Sequence, residues 1–422
     1  MSALSIRSWT VSDMSGVESP AHAQMGFDNT DLKHRLQSRP TMTQNVKTYA
    51  YIDALRGLAI LAVLLRHSVS IVAPTSDLFH LVTQGGGRGV QLFYVVSALT
   101  LCLSWQSRRG TEASQVRNYF VRRFFRIAPM FYLAIAFYLV LNGPLPREWA
   151  PNGIPWWYVP LTALFLHGVL PETVMAIVPG GWSMAVEVGF YVALPMVLTR
   201  VRSLKSGLAL LGLSIVAYRV NRVLLEAALP GIYPANQQYL VSGYIYFSFF
   251  GQLPVFVLGV LAYFIIKERS LHRRAIALGS LSLPILLVAL IMLSRPTAIE
   301  IISNPMAVGA IFTLVVLVLA YLPDRHVITR VVANPVLVSL GKLSYSMYLT
   351  HSAVLGLAST SGIAALFGSG DLSSAVYFLC VVAVTAAVSV VFHQCVERPG
   401  VRLGNAVVVR LELAVTRLNA RS

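Results

Sequence analysis

The sequence predicts an all-α, polytopic membrane protein of about ten transmembrane helices with both termini cytoplasmic. Three observations predict it. The 422 residues are 56% hydrophobic and only 12% charged, with a mean hydropathy of +0.68, well away from a soluble domain. Apolar runs of spanning length recur from Tyr51 to Val391, and they are continuous rather than alternating, which excludes a β-barrel. With the N-terminus inside, 26 of the 33 Lys and Arg fall on the cytoplasmic side and 5 on the other, while Arg56 and Arg66 lie within the first span. The net charge of +16 is therefore a topology signal and not a nucleic-acid-binding surface.

Along the chain, residues 1–48 are polar, carry no cleavable signal peptide and read as a disordered cytoplasmic tail. A membrane domain follows over 49–399, with spans near 51–72, 89–106, 128–142, 185–200, 206–221, 245–266, 275–294, 306–322, 340–358 and 373–395. The stretch WWYVPLTALFLHGVL (156–170) suits a re-entrant or interfacial helix. Residues 400–422 form a basic cytoplasmic tail. Cys102, Cys380 and Cys395 sit in apolar contexts as small buried hydrophobes, with neither disulfide nor zinc spacing, and no metal site is expected. No repeat of fixed period and no inverted pair of broken helices marks a secondary transporter.

Ionisable groups inside spans are costly, so they are the functional candidates. In the first span Arg56 and His67 are eleven residues apart, about 20° beyond three full turns. They share a face about 16 Å apart along the axis. Taken alone, Arg56 also suits an ion pair with Asp53 or snorkelling, and His67 suits a hydrogen-bonded packing role. Arg66 faces elsewhere and reads as a snorkelling or interhelical contact. Arg122, Arg123 and Arg126 cluster at i, i+3 and i, i+4 spacings before the third span, and guanidinium forks suit phosphates. Taken alone, they are better explained as ordinary positive-inside charge.

Ser183, Glu187 and Tyr191 recur at i, i+4, i+8, so a carboxylate lies within an apolar helix and needs a partner. Glu187 either orients a histidine or sits in an interhelical ion pair. Ser344, Tyr348 and His351 share a further face, and His351 suits a base, a substrate ligand or packing. His167 and His393 lack such company and read as structural or interfacial. The outer loop 142–182 is rich in aromatics, including Trp149, Trp156 and Trp157, which suit sugar stacking or an interfacial belt.

Six segments in order, YIDALRGLAILAVLLRH, GVQLFYVVSALTL, RRFFRIAPMFY, GGWSMAVEVGFYVALP, LSYSMYLTH and VERP, resemble the acyltransferase family 3 membrane proteins. The resemblance covers Tyr51 to Pro399. It implies a ten-helix bundle in the bacterial inner membrane that moves an acyl group, usually acetyl from acetyl-CoA, to a hydroxyl of a cell-surface or lipid-linked glycan. No bound cofactor is implied, the CoA ester being a substrate. The family's Arg and His signature falls on Arg56 and His67, its arginine motif on Arg123 and Arg126, its glutamate on Glu187 and its second histidine on His351. On this reading His67, Glu187 and His351 are catalytic, and Arg56, Arg122, Arg123 and Arg126 hold acyl-CoA. Trp182 and Tyr348 lie on the acceptor side. The family often has Ser-Gly-Phe where this chain has Ser97-Ala98-Leu99, a loss that bears on how closely that helix approaches its neighbours. The expected partners are acyl-CoA, a glycan and membrane lipids. A polysaccharide-intermediate transporter or flippase, or a membrane scaffold, is the alternative from another class.

Overall fold

The first helix, α1 (Ala50–Ser68), carries Asp53 in its first turn and Arg66 and His67 in its last, each sign at the end where it complements the helix dipole. It belongs to a computed structural model that describes residues 50–268 and 304–419. The expected span at 275–294 and the tail before Ala50 lie outside the described residues. After α1 come α2 (Asp77–Gln84), capped by the Ser76 hydroxyl, a tight 3-10 turn at Gly85–Arg88, and α3 (Gly89–Ser107). Next are α4 (Gln115–Asn142), the short α5 (Tyr158–Ala163), α6 (Trp182–Arg200) and α7 (Leu204–Ala228), the last opened by a Ser203–Ser206 capping box. They are followed by α8 (Gln238–Phe247), α9 (Phe249–Glu268), α10 (Asn304–Tyr321) and α11 (Val327–Val332). The chain ends in α12 (Pro335–Thr360), α13 (Asp371–Phe392), one π-helical turn at His393–Glu397, and α14 (Arg398–Asn419).

Among the described residues there is no β-strand, and six helical stretches are long and apolar enough to cross a membrane. These are Asp77–Ser107, Gln115–Asn142, Trp182–Arg200, Leu204–Ala228, Ala235–Glu268 and Asp371–Leu418, with Pro305–Tyr321 shorter. α1 and α12 fall outside that set because polar side chains interrupt their apolar ones: Asp53, Arg56 and Arg66 on one, Ser344, Ser346, Tyr348 and His351 on the other.

Several boundaries differ from those read in the sequence. The helix of the third span starts at Gln115 and not near 128, so the arginines placed before the span belong to the same 28-residue helix as the span. The sixth breaks at Ser248, whose ψ of 155° is extended. The aromatic stretch 156–170, read as a re-entrant or interfacial helix and not as a span, forms the six-residue α5, after which Phe165 takes a positive φ of 60°. Of the three cysteines only Cys102 is buried, whereas Cys380 and Cys395 lie on the exposed surface of the bundle. An outer surface facing lipid is as apolar as a core, so composition cannot tell these two places apart.

Two glycine contacts set the helix spacing. A Cβ on Gly341 would lie 1.7 Å from the Asp53 carbonyl oxygen, and one on Gly57 would lie 2.1 Å from that of Leu337, so α1 and α12 touch backbone to backbone. The helices run in the same direction from this crossing, and ten residues on, about 15 Å along each axis, they bring His67 and His351 level. The second contact answers the Ala98 departure. A Cβ on Gly259 of α9 would lie 2.7 Å from the Ala98 Cβ and 2.5 Å from the Val95 carbonyl oxygen. The close approach to α3 is therefore made by a glycine on its neighbour.

α14 braces the start of α4. Pro129 has no N–H to offer the Phe125 carbonyl, and Gly400 packs there, where a Cβ would lie 2.6 Å from that oxygen. Glu412 accepts from the Ala113 N–H at 2.7 Å, Asn118 Nδ2 at 2.8 Å and Arg117 at 3.1 Å. The buried Glu397 of the π turn accepts from Ser346 Oγ at 2.9 Å and pairs with His393 Nδ1 at 3.0 Å, so His393 has a partner after all.

Gly341→Leu should prevent α1 and α12 from meeting. In detergent, the yield of monodisperse protein should collapse, while Gly356→Leu on the open side of α12, where a Cβ meets nothing within 4 Å, should leave it near wild type. His167, in the connection between α4 and α6 and outside the six spans, donates from Nε2 to the Gly181 carbonyl at 2.9 Å. Burial holds its pKa down to about 4. The unfolded chain takes up that proton near ~6.5. The stability from neutral His167 is thus full above that pH and is lost as pH falls toward 4. The melting temperature should fall between pH 7 and 4.5, and less steeply in His167→Gln.

Candidate functional site

Two cavities meet inside the bundle. The narrower, about 70 Å³, is walled by α1, α3, α4, α6 and α12 and receives Arg56, Arg123, Arg126 and Glu187. Arg56 donates to Thr100 Oγ1 at 3.4 Å and lies 3.8 Å from the Asp53 carboxylate, so its expected local ion pair is formed while the guanidinium still borders the cavity. Arg123 lies 5.8 Å from the ring centroids of both Tyr119 and Tyr191, a cation–π bracket that fixes the guanidinium. Its Nε is buried without a hydrogen-bond partner. Glu187 accepts from Ser97 Oγ at 2.7 Å and Tyr191 Oη at 2.5 Å. Three arginines against one carboxylate make the cavity electropositive, with an orphan donor that an anion would satisfy.

The second cavity is larger, about 1080 Å³, and His67 and His351 line it with Trp149 and Trp182. The imidazole centroids are 5.2 Å apart, tilted by 43°. His351 is 2% exposed and lies within 2.6 Å of the Tyr348 carbonyl through Nδ1. A carbonyl only accepts, so Nδ1 carries the proton and Nε2 is left as the basic nitrogen, 3.3 Å from Ser352 Oγ. His67 is the more open of the two, exposed toward the cavity. Trp182 packs edge-on to Tyr94, with centroids 6.2 Å apart, and lies 4.6 Å from Phe247, giving this cavity an aromatic wall.

Tyr348 lines both cavities. Its Oη donates to the Gly180 carbonyl at 3.0 Å and accepts from Ser183 Oγ at 2.9 Å. Gly180 is required twice over: its φ is +73°, and a Cβ there would lie 3.0 Å from Tyr348 Oη. Tyr348, pinned to the turn before α6, thus stands between the cavities together with Val90, which also lines both.

The predicted residues therefore separate into two groups. Arg56, Arg123, Arg126 and Glu187 border one cavity, His67, His351 and Trp182 the other, and Tyr348 stands between them. Arg122 joins neither. Its two terminal nitrogens grip Glu112 at 2.8 and 2.9 Å, a pair formed across the α3–α4 connection that no spacing in the sequence signals. Of the two expected partners of His67, the structure supplies His351 and not Glu187. α6 runs opposite to α12, so Glu187 lies about 6 Å from Ser183 on the arginine side of Tyr348, while His351 lies about 4.5 Å on the other side. Nor does Arg66 face elsewhere; it borders the histidine cavity beside His67. Sequence reasoning missed Thr100 and Tyr345, although Ser97 and Thr100 at i, i+3 on an apolar helix offered a signal for the first.

The family model described as an acyltransferase domain, Acyl_transf_3, matches residues 49–394. Proteins named "Putative O-acetyltransferase" from Staphylococcus aureus strains COL and MSSA476 are each 23% identical over 382 aligned residues, covering 82% of this chain and 56% of their own. The chain thus spans little more than half the length of these curated relatives. No solved structure matches it.

Arg123→Ala should weaken binding of a phosphate-bearing ligand in the smaller cavity by about tenfold, whereas Arg122→Ala should leave it within about twofold and lower the melting temperature. Ligand titration and a thermal melt on the two variants check this.

Proposed function

The chain belongs to acyltransferase family 3, and from that premise we propose that it is an O-acyltransferase of the bacterial cytoplasmic membrane, taking acetyl from cytoplasmic acetyl-CoA to a hydroxyl of a cell-surface or lipid-linked glycan. Ten spans with both termini inside accord with the 26-to-5 division of Lys and Arg. The observation that carries the reading is the pair of imidazoles, 5.2 Å apart on the wall of a roomy aromatic cavity, one tyrosine away from an arginine-lined cavity.

Arg123 and Arg126 take the phosphates of CoA, the Nε of Arg123 gaining the partner it lacks, and Arg56 lies further along the donor's path. Glu187, held by Ser97 and Tyr191, neutralises part of this charge and keeps the guanidinium groups apart. The acceptor glycan enters the larger cavity and stacks on its tryptophans. His67 takes the proton of the acceptor hydroxyl as its oxygen attacks the thioester carbonyl. The C–S bond breaks, the new ester forms, and the proton passes to the CoA thiolate. His351, with its tautomer set by the Tyr348 carbonyl, is the positioning residue that holds the His67 ring.

Purified full-length protein given acetyl-labelled acetyl-CoA and candidate glycans should release CoA and label the glycan stoichiometrically. His67→Ala should lower turnover by at least about a thousandfold with an unchanged melting temperature. Full activity in a well-folded His67→Ala protein would remove the base assignment, and glycan movement without CoA release would identify a transporter.

A further inference from the structure

The histidine cavity carries charge that acyl transfer itself does not use. Besides the two imidazoles, its wall holds three arginines, Arg66, Arg88 and Arg147, against a single carboxylate, Glu148. Arginines are scarce on the side opposite the basic loops, where the sequence places only five Lys and Arg, yet two of those five border this one cavity and Arg66 joins them.

The local fold is built to bring two of them together. The turn Gly85–Gly86–Gly87 lies flat on the last turns of α1. A Cβ on Gly86 would lie 2.3 Å from the Ala62 carbonyl oxygen and 3.1 Å from the Arg66 Cβ, and one on Gly87 would lie 3.8 Å from the Arg66 Cγ. A Cβ at Gly86 is incompatible with this approach, and the same 3-10 turn ends in Arg88. Arg147 comes from the loop after α4, its guanidinium donating to the Gly143 carbonyl, which leaves most of its five donors uncommitted by that bond. Three guanidinium groups face one carboxylate on this wall, so the cavity is electropositive and attracts an anion that enters it. A neutral sugar offers them nothing that water does not.

We propose that the acceptor drawn into this cavity is anionic, with a carboxylate or phosphate within one or two sugar units of the acylated hydroxyl, and that Arg66, Arg88 and Arg147 read that charge. The inference rests on the acyltransferase reading and names the acceptor class. The anionic group fixes the register of the glycan, so that one hydroxyl lies at His67 while the sugar rings rest on Trp149 and Trp182.

The test uses the full chain in nanodiscs and two matched probe pairs, with dissociation constants measured for each. One pair is trigalacturonic acid and its carboxyl-reduced neutral counterpart; the other is a polyprenyl-pyrophosphate-linked disaccharide and the same disaccharide free. At least one anionic member should bind about tenfold tighter than its partner, and which pair does so identifies a uronate or a lipid phosphate as the source of charge. In Arg66→Gln and Arg88→Gln the ratio should fall below about threefold, with Arg66→Lys restoring part of it, and rising salt should narrow it in wild type. Equal binding within both pairs, no binding of either anionic probe, or a preference untouched by both glutamine substitutions overturns the proposal. The same samples given labelled acetyl-CoA keep the two readings apart. Charge-selective binding without transfer of label to any glycan removes the enzyme reading alone, and transfer without charge selection removes this one alone.

Discussion

The backbone contact between Gly57 and Gly341 is the constraint on which the rest of the site depends. Lipid gives helices no hydrophobic reason to associate, so close van der Waals approach has to hold them, and side-chain-free positions permit it. The contact also acts as a ruler. Because the two helices run the same way from it, equal numbers of residues reach equal depth, and His67 meets His351 without any loop having to place them. α3 joins through Gly89, where a Cβ would lie 2.4 Å from the Ala59 carbonyl oxygen, and it brings Ser97 and Thr100 to Glu187 and Arg56. A catalytic geometry set by rigid helices is held more tightly than one set by loops.

Burying charge in a membrane protein demands compensation, and the compensation here is local. Asp53, Thr100, Ser97 and the two tyrosine rings share the task around Arg56, Arg123 and Glu187. Outside the cavities the same economy recurs: Glu112 takes Arg122, Glu412 of the terminal helix takes Arg117 and Asn118, and Glu397 takes Ser346 and His393. Each of these carboxylates fastens a segment that carries or abuts an arginine-cavity residue. The tail read as merely basic is a strut for α4.

Much of this was legible in the sequence because it follows from periodicity. The eleven-residue step from Arg56 to His67 and the faces of Ser183–Glu187–Tyr191 and Ser344–Tyr348–His351 are properties of a single helix, and a helical wheel suffices to see them. Contacts between helices were not legible. Nothing in the spacing says that Glu187 and His67 fall on opposite sides of Tyr348, because that depends on α6 running against α12. Nor does it say that Arg122 finds Glu112, or that Gly259 supplies the space missing at Ala98. A helix end was misjudged where hydropathy is silent: α4 continues through its arginines because a basic turn is still a good helix.

The partition at Tyr348 has a further consequence. Tyr348, held by Ser183 and the Gly180 carbonyl, lines both spaces together with Val90 and stands between the arginines of one and the histidines of the other. An energised membrane stores about 2.3 kcal/mol per elementary charge for each 100 mV across it. An open path lined by arginines and histidines would dissipate that store through leaked ions and protons. A partition at Tyr348 and Val90 would let the proposed acyl transfer be reached from two sides while the membrane stays an electrical insulator.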